Sequence, residues 1–126
     1  MTLLMLINIL WWKHSLINTR PDLELTSDYF LKKGSFYATD LECILQAQKI
    51  KTIIVCGVTT EVCVHTTVRE ANDRGYYCIV VSDATASYND TFHTIALDMI
   101  AAQNGIFGSV TSSQNIIDAM EKYLSE

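Results

Sequence analysis

One short segment constrains the fold more than any other, the unbroken β-branched run from Thr52 to Cys56, which ends at Gly57. Continuous apolar runs of this length are typical of strands that are buried on both faces, as in parallel sheets. The apolar run Tyr76 to Val81 has the same character, and a third run, Ile106 to Val110, is predicted to be a short strand. Segments with helical spacing separate the three runs, so the pattern predicts strands that alternate with helices.

End signals predict four helices. Thr39 and Glu42 have the spacing of a capping box, in which a hydroxyl and a carboxylate satisfy each other's backbone amides. The segment from Thr60 to Arg74 is rich in β-branched residues, but the threonine at its start and Gly75 after its end favour a helix. The four predicted helices begin near Thr39, near Thr60, at Asn89 or Asp90, and at Ser112 or Ser113, and end near Gln48, Arg74, Gly105 and Leu124.

Alternating helices and strands predict an α/β fold. Parallel strands joined by helices require right-handed crossovers, which place the helices on the faces of the sheet. The length of 126 residues, 49% hydrophobic, fits one compact domain with a substantial core. The first 32 residues are harder to assign, and the apolar run from Met1 to Trp12 is predicted to be a buried strand or helix.

Charge and cysteine usage exclude several classes of protein. The net charge is −5, and the nine lysines and arginines form no basic run, which disfavours a nucleic-acid partner. The run from Met1 to Trp12 is shorter than the roughly 20 apolar residues of a membrane span. It also lacks the basic region and cleavage site of a signal peptide. We therefore expect free thiols in a reducing, cytoplasmic environment and no membrane association.

Cys63 is the leading candidate for a chemically active residue. Sites in parallel α/β sheets form where strands end, and the segment from Gly57 to Cys63 leads from a buried strand into a helix. With Thr60 as the N-cap, Cys63 lies in the first helical turn, where free amides and the helix dipole favour a thiolate. The same amides can donate to an oxyanion. The alternative is that Cys63 is a small buried residue, as free cysteines generally are.

The remaining candidate residues are weaker. His65 lies two residues after Cys63 and points to another face, so it is expected at the surface or in a supporting position. His93 is expected to be a satisfied polar residue within a helix. No Cys-x-x-Cys spacing occurs, and no metal site is predicted. Packing is the expected role of the other cysteines, Cys43, Cys56 and Cys78.

Two segments together resemble the isochorismatase-like cysteine hydrolases. They are Gly34 to Leu41 and Gly57 to Val64. The stretch from Gly34 to Leu41 is most similar to the ureidoacrylate and biuret amidases. Further matches continue the resemblance from Lys33 to the C-terminus: Arg69-Glu70-Ala71, Arg74-Gly75, Val81 to Ala84, Ile100 to Gln103, and Ile106-Phe107-Gly108.

The resemblance implies a three-layer α/β/α sandwich and a cysteine amidohydrolase. Members of this family cleave a C–N bond of a small amide or ureide through a thioester, using an Asp, Lys and Cys triad. Cys63 matches the nucleophile, and the amides of Thr59 and Cys63 match the oxyanion hole. The bond between Val58 and Thr59 matches a cis peptide. The metal-binding Asp and His set of the nicotinamidases in this family is absent from the sequence, so no metal and no cofactor are expected, and the resemblance suggests a homo-oligomer.

The chain departs from the family in its N-terminal part. The family lysine aligns without gaps to Phe30, so Lys33 or Lys32 takes its place only if the loop shifts. The family aspartate has no match, although the first 32 residues include Asp22 and Asp28. We therefore divide the chain into a divergent segment, 1–32, and a partial hydrolase domain, 33–126, that lacks an N-terminal β-α-β portion. The alternative function is a catalytically impaired family member that assists the folding or assembly of a full-length protein.

Overall fold

The computed structural model describes residues 4–8 and 34–125, and the fold within these ranges alternates strands and helices. A π-helical turn, Thr60–Val64, lies between the second strand and the second helix. The strands are β1 (Leu4–Asn8), β2 (Thr52–Val58), β3 (Tyr77–Ala86) and β4 (Ser109–Thr111), and the helices are α1 (Leu41–Ala47), α2 (His65–Asp73), α3 (Asp90–Gly105) and α4 (Ser113–Ser125).

The four strands form one parallel sheet in the order β1-β2-β3-β4. The predicted α/β class is therefore confirmed. The strand β1 lies within the apolar run from Met1 to Trp12, which was predicted to be a strand or a helix, and it pairs with β2 from Leu4 opposite Thr52 to Asn8 opposite Cys56. The sheet thus includes residues that the sequence pattern assigned to the divergent segment.

The main core lies on one face of β2 and β3. Side chains alternate between the two faces of a strand, and Ile53 and Val55 face the same side as their neighbours Cys78 and Val80. All four side chains are buried in one cluster with residues of α1, α2 and α3. The other members of this cluster are Phe36, Leu41, Leu45, Ile50, Val64, Val68, Ala71, Tyr76 and Ile100.

The opposite face of β2 is covered as well. Ile54 is 3% exposed and Cys56 is 8% exposed, although neither belongs to the main core cluster. This double burial agrees with the continuous apolar pattern of the strand. The last helix, α4, contacts β3, and none of its described side chains is buried.

Two strand boundaries differ from the sequence prediction. β3 continues beyond Val81 to Ala86, because a bulge lets Gly57 and Val58 pair with Thr85 and Ala86. β4 is shorter than predicted and begins at Ser109 rather than Ile106. The preceding chain is still turning there, since the Ile106 amide donates to Ala102 and the Gly108 amide to Gly105.

The predicted capping box at the start of α1 is wrong. Asp40 occupies the cap position, and its side chain accepts no cap hydrogen bond. The Thr39 hydroxyl instead donates to the carbonyls of Ser35 and Phe36, at 2.7 and 3.0 Å. The Glu42 carboxylate pairs with Arg74. The Thr39 amide donates to the Phe36 carbonyl, so the reciprocal bonds of a capping box do not form.

The caps of α3 and α4 agree with the sequence signals. The Asn89 side chain accepts hydrogen bonds from the amides of Thr91 and Phe92. The Ser112 hydroxyl accepts from the Asn115 amide at 3.3 Å. The backbone of α3 leaves helical geometry at Ala102, before its end at Gly105. None of the described helices has the length and apolar character needed to span a membrane.

Leu45→Ala tests how much the core cluster contributes to the free energy of unfolding. The side chain is 0% exposed in α1, so its truncation should lower the free energy of unfolding by about 2–5 kcal/mol. Leu124→Ala is the matched control, because this leucine of α4 is 80% exposed and should change stability by no more than about 0.5 kcal/mol. Urea titration of both variants gives the two values, and equal effects would contradict the assigned core.

Candidate functional site

The candidate site is built where the chain leaves β2. Gly57 has a φ of 124°, a left-handed conformation that glycine adopts without steric penalty, and the peptide bond between Val58 and Thr59 is cis. The family resemblance had predicted a cis peptide bond at this position. The Thr59 carbonyl then accepts the amides of Val62 and Val64, each at 3.2 Å. The outcome is a tight π-helical turn that places Cys63 at the carboxyl edge of the sheet.

Thr60 does not cap a helix, contrary to the sequence prediction. The position before the π-helical turn belongs to Thr59, and α2 begins only at His65. Thr60 is fully buried, and its hydroxyl shares a hydrogen bond of 2.8 Å with Nδ1 of His93 on α3. This bond ties the turn to α3. His93 is a satisfied polar residue, as predicted.

Cys63 is half-buried on this turn. Its side chain packs against the main core cluster, and its Sγ makes no hydrogen bond to any described residue. A free thiol that is neither fully buried nor engaged can meet a ligand from solvent. The structure therefore retains Cys63 as the candidate nucleophile.

The other three cysteines differ from Cys63 in exposure. Cys78 is 0% exposed, its Sγ donates to the Val68 carbonyl at 3.8 Å, and burial raises its pKa to about 12. Burial also raises the pKa of Cys56. Cys43 is exposed on α1, which corrects the prediction that it packs inside the protein. It lies between Glu42 and Ile44, on the face of α1 that points away from the buried side chains of Leu41 and Leu45.

The Gly34-Ser35 segment is docked on α2 beyond the cysteine turn. The Ser35 amide and hydroxyl lie 3.1 and 3.2 Å from the Thr67 hydroxyl, and all of these groups are buried. A Cβ atom at Gly34 would lie 2.5 Å from Oε2 of Glu70, so a side chain there would displace the glutamate. Thr67 lies one turn beyond Cys63, on the same side of the helix.

Lys33, Lys32 and Phe30 lie outside the described residues, as do Asp22 and Asp28. The described neighbour of Lys33 is Gly34, which the contacts of Ser35 hold against α2. The assignment of Lys33 as the family lysine therefore stays a prediction.

His65 occupies a supporting position rather than the surface. Its Nδ1 accepts a hydrogen bond from Nε of Arg69 at 3.2 Å. The Arg69 guanidinium stacks 4.1 Å above the ring of Phe107, which precedes β4. Burial lowers the pKa of His65, and the positive charge of Arg69 lowers it further. The imidazole is thus kept neutral near pH 7.

A second polar contact lies at the same edge of the sheet. Asp83 accepts the amide and the hydroxyl of Ser113 at 2.8 and 2.7 Å, and these bonds lower the pKa of the Asp83 carboxyl. This aspartate is therefore engaged in capping α4. Among the described residues, no group of three or more His, Cys, Asp or Glu side chains is arranged to hold a metal ion.

Sequence reasoning missed Thr67 and Arg69 as residues that support the site. Thr67 lies four positions after Cys63, and Arg69 lies four positions after His65. This helical spacing could have indicated that each shares a face with the earlier residue. Their partners, Ser35 and Phe107, are distant in sequence and could not be read from it.

Comparison with known proteins identifies the family. Residues 14–115 match the isochorismatase domain. The chain belongs to the isochorismatase family. The match begins ahead of Lys33 and so includes part of the segment 1–32. The family that the sequence resemblance predicted is confirmed. The amidase branch within the family is not confirmed.

Relatives of known sequence and structure agree with this assignment. The isochorismatase family protein YecD of Escherichia coli O157:H7 is 30% identical over 112 residues, which cover 87% of this chain and 56% of YecD. An isochorismatase-like hydrolase from Alkaliphilus metalliredigens has a TM-score of 0.66 and 32% identity, over 71% of this chain and 48% of that one. The chain spans about half the length of the curated relatives that it matches.

A third relative carries a specific name. The ureidoacrylate amidohydrolase RutB of Methylorubrum extorquens is 44% identical over 52 residues, which cover 41% of this chain and 21% of RutB. This match is partial. It places an amidohydrolase among the relatives of the chain.

Thr67→Val tests the docking of the Gly34-Ser35 segment. The substitution leaves the buried Ser35 amide without its acceptor, so the free energy of unfolding should fall by about 1–3 kcal/mol. Thr66→Val is the matched control, because Thr66 is exposed on the same helix and its hydroxyl bonds to no described residue. Chemical denaturation of both variants provides the comparison. A control as destabilised as Thr67→Val would argue against the contact.

His65→Gln tests the effect of this half-buried histidine on pH dependence. Because the pKa of His65 is lowered in the folded state, the unfolded state takes up its proton first as the pH falls below about 6.5. Stability from this group is therefore present at pH 7 and is lost toward pH 5. The variant should lose less stability over that range in urea titrations.

The control for the pH experiment is Asp83→Asn. The lowered pKa of Asp83 acts at lower pH, so this variant should keep the wild-type slope between pH 7 and 5. If His65→Gln lost as much stability between pH 7 and 5 as the wild type, His65 would not be the group responsible for that loss.

Proposed function

We propose that this family member is a cysteine hydrolase that cleaves a C–N bond of a small amide or ureide through an acyl-Cys63 intermediate. The observation that carries the proposal is the position of Cys63. It is a free, half-buried thiol on a tight turn at the carboxyl edge of a parallel sheet. Ligands in α/β folds bind at this edge.

The proposed reaction has two steps that share one nucleophile. The Cys63 sulfur attacks the carbonyl carbon, an S–C bond forms, and the C–N bond of the resulting tetrahedral intermediate breaks. The thiol proton ends on the leaving nitrogen. Water then attacks the thioester carbonyl, the S–C bond breaks, and a carboxylic or carbamic acid leaves while the thiol regains its proton. The sum is one water consumed for each C–N bond cleaved.

Backbone amides are the proposed stabilisers of the developing oxyanion. The N–H groups of Thr59 and Cys63 belong to the same turn as the nucleophile. The Thr59 carbonyl is occupied by the amides of Val62 and Val64, which flank Cys63 and hold the turn in place. Donors that are fixed before the reaction lower the barrier more than donors that must reorient.

Lys33 is the proposed cation that supports the thiolate. A lysine next to a thiol lowers the pKa of that thiol and raises its thiolate fraction. The segment that follows Lys33 is anchored to α2 one turn from Cys63, through the contacts of Ser35 with Thr67. This anchoring supports the assignment, because it brings the chain near the nucleophile directly after Lys33.

The proposed substrate class follows from the amidohydrolase relative. RutB is named for the hydrolysis of ureidoacrylate. By similarity we propose ureides and small amides as substrates, and we propose that the active form is a homo-oligomer. The exposed apolar residues of α3 support assembly, since Phe92, Ile95 and Met99 are 45–55% exposed along one helix face.

A second candidate function rests on the family aspartate, which has no match in the sequence. The alternative that we propose is an impaired family member that assists the folding or assembly of a full-length protein. The two functions differ in one measurable respect. Only the hydrolase requires Cys63 for turnover.

Cys63→Ala should abolish the release of ammonia from ureide and amide substrates. Removal of a nucleophile removes the covalent path, and the rate should fall at least about a thousandfold. Cys43→Ala is the matched control, because Cys43 is a free thiol on the outer surface of α1 and its loss should leave the rate unchanged. Ammonia release is measured with a coupled assay at saturating substrate.

Iodoacetamide labelling complements the rate measurement. Peptide mass spectrometry should show label on Cys63 and Cys43 and little on Cys78, whose thiol is buried and has a raised pKa. Turnover that survives in Cys63→Ala would refute the covalent mechanism. Efficient turnover that depends on Cys63 would refute the assembly role as the sole function.

A further inference from the structure

Two buried polar atoms at the cysteine turn have no hydrogen-bond partner among the residues that the structure describes. Oε2 of Glu61 and Nε2 of His65 are shielded from solvent, and neither makes a hydrogen bond with a described residue. Buried polar atoms in native proteins are nearly always hydrogen-bonded. An unpaired carboxylate oxygen and an unpaired ring nitrogen, each two residues from Cys63, therefore need a physical explanation.

The two atoms are complementary in their hydrogen-bonding roles. The Arg69 guanidinium carries only donors, so its bond to Nδ1 of His65 uses the lone pair of that nitrogen. Burial favours the neutral ring, and a neutral ring that accepts at Nδ1 carries its proton on Nε2. His65 thus offers one donor, and the Glu61 oxygen is an acceptor.

The spacing of the two residues places them on one face of the helical segment, although the two atoms do not bond to each other in this structure. Glu61 lies in the π-helical turn and His65 is the first residue of α2, four positions later. Residues four apart share a face of a helix, whereas Cys63, two positions from each, points to another face. A bond between Glu61 and His65 would therefore span the nucleophile without contacting it.

We propose that Glu61 and His65 are positioning residues for Cys63, with Nε2 of His65 donating to Oε2 of Glu61 in the reactive conformation of the turn. This inference rests on the proposed function of Cys63. The bond completes a chain of contacts from Phe107 through Arg69 and His65 to Glu61. It fixes the turn to α2 and thereby fixes the direction of the Cys63 thiol and amide.

The tautomer of His65 is the first test. In the full chain with ¹⁵N-labelled histidine, long-range ¹H–¹⁵N spectra should assign the proton of His65 to Nε2. Glu61→Ala should shift this proton resonance upfield, because the acceptor is lost, and Glu61→Gln should shift it less. Asp73→Ala is the matched control, since it removes an exposed carboxylate at the end of α2 and should leave the resonance in place. A proton on Nδ1, or a resonance indifferent to Glu61→Ala, would overturn the proposal.

Kinetics provide a test of positioning itself. Glu61→Ala and His65→Ala should each lower kcat on the order of tenfold with KM unchanged, since the bond acts on the reacting group and not on ground-state binding. Glu61→Gln and His65→Gln should restore most of the rate, because the amides supply the same acceptor and donor. The double alanine variant should be no slower than either single one. Additive losses, or a change confined to KM, would contradict the pair.

The test separates this inference from the proposed function. If the wild-type chain shows no turnover that depends on Cys63, the proposed function fails. The rate of Cys63 alkylation by iodoacetamide in the same variants, read with the histidine spectra, then still decides the pairing. A lower alkylation rate in both alanine variants, recovered in both glutamine variants, supports it, and equal rates in all variants refute it.

Discussion

The burial of β2 on both faces is the constraint on which the rest of the structure depends. Ile53 and Val55 fill the main core, while Ile54 and Cys56 are covered on the other side. Because β1 and β3 also flank the strand, β2 has no free edge. Its carboxyl end is thus held by packing on both faces and by pairing on both edges. The turn that begins at Gly57 therefore starts from a fixed position. The candidate nucleophile, Cys63, lies a few residues later and gains a defined position from this strand.

The sequence predicted those elements whose cause is local. The β-branched run at Thr52 and the Asn89 cap depend on neighbouring residues, and both were assigned correctly. The length of β3 depends on pairing with Val58 across a bulge, and the role of Glu42 depends on Arg74 from another helix. Such long-range contacts leave no local pattern in the chain. With Glu42 paired to Arg74 and the Thr39 hydroxyl donating to the Ser35 carbonyl, neither side chain forms the predicted capping box.

In the candidate site as well, local features were predicted from the sequence and long-range contacts were not. Cys63 was found because a strand, a glycine and a helix start are adjacent in sequence. The π-helical form of its turn was not predicted, and the bond between Thr60 of the turn and His93 of α3 joins residues 33 positions apart. Thr67 was missed because its role is to accept a hydrogen bond from the amide of Ser35, which is 32 positions away. Residues near the candidate nucleophile in sequence are therefore only some of those that hold it in place.

The unequal burial of the four cysteines has a consequence for the chain in an oxidising environment. Thiolates react with peroxide, whereas buried thiols with a raised pKa remain protonated and shielded. Cys56 and Cys78 are of this second kind. Toward an oxidant in solution, a chain with four thiols therefore presents only two, on separate elements. Oxidative damage would begin at Cys63 and Cys43 and would leave the sheet intact.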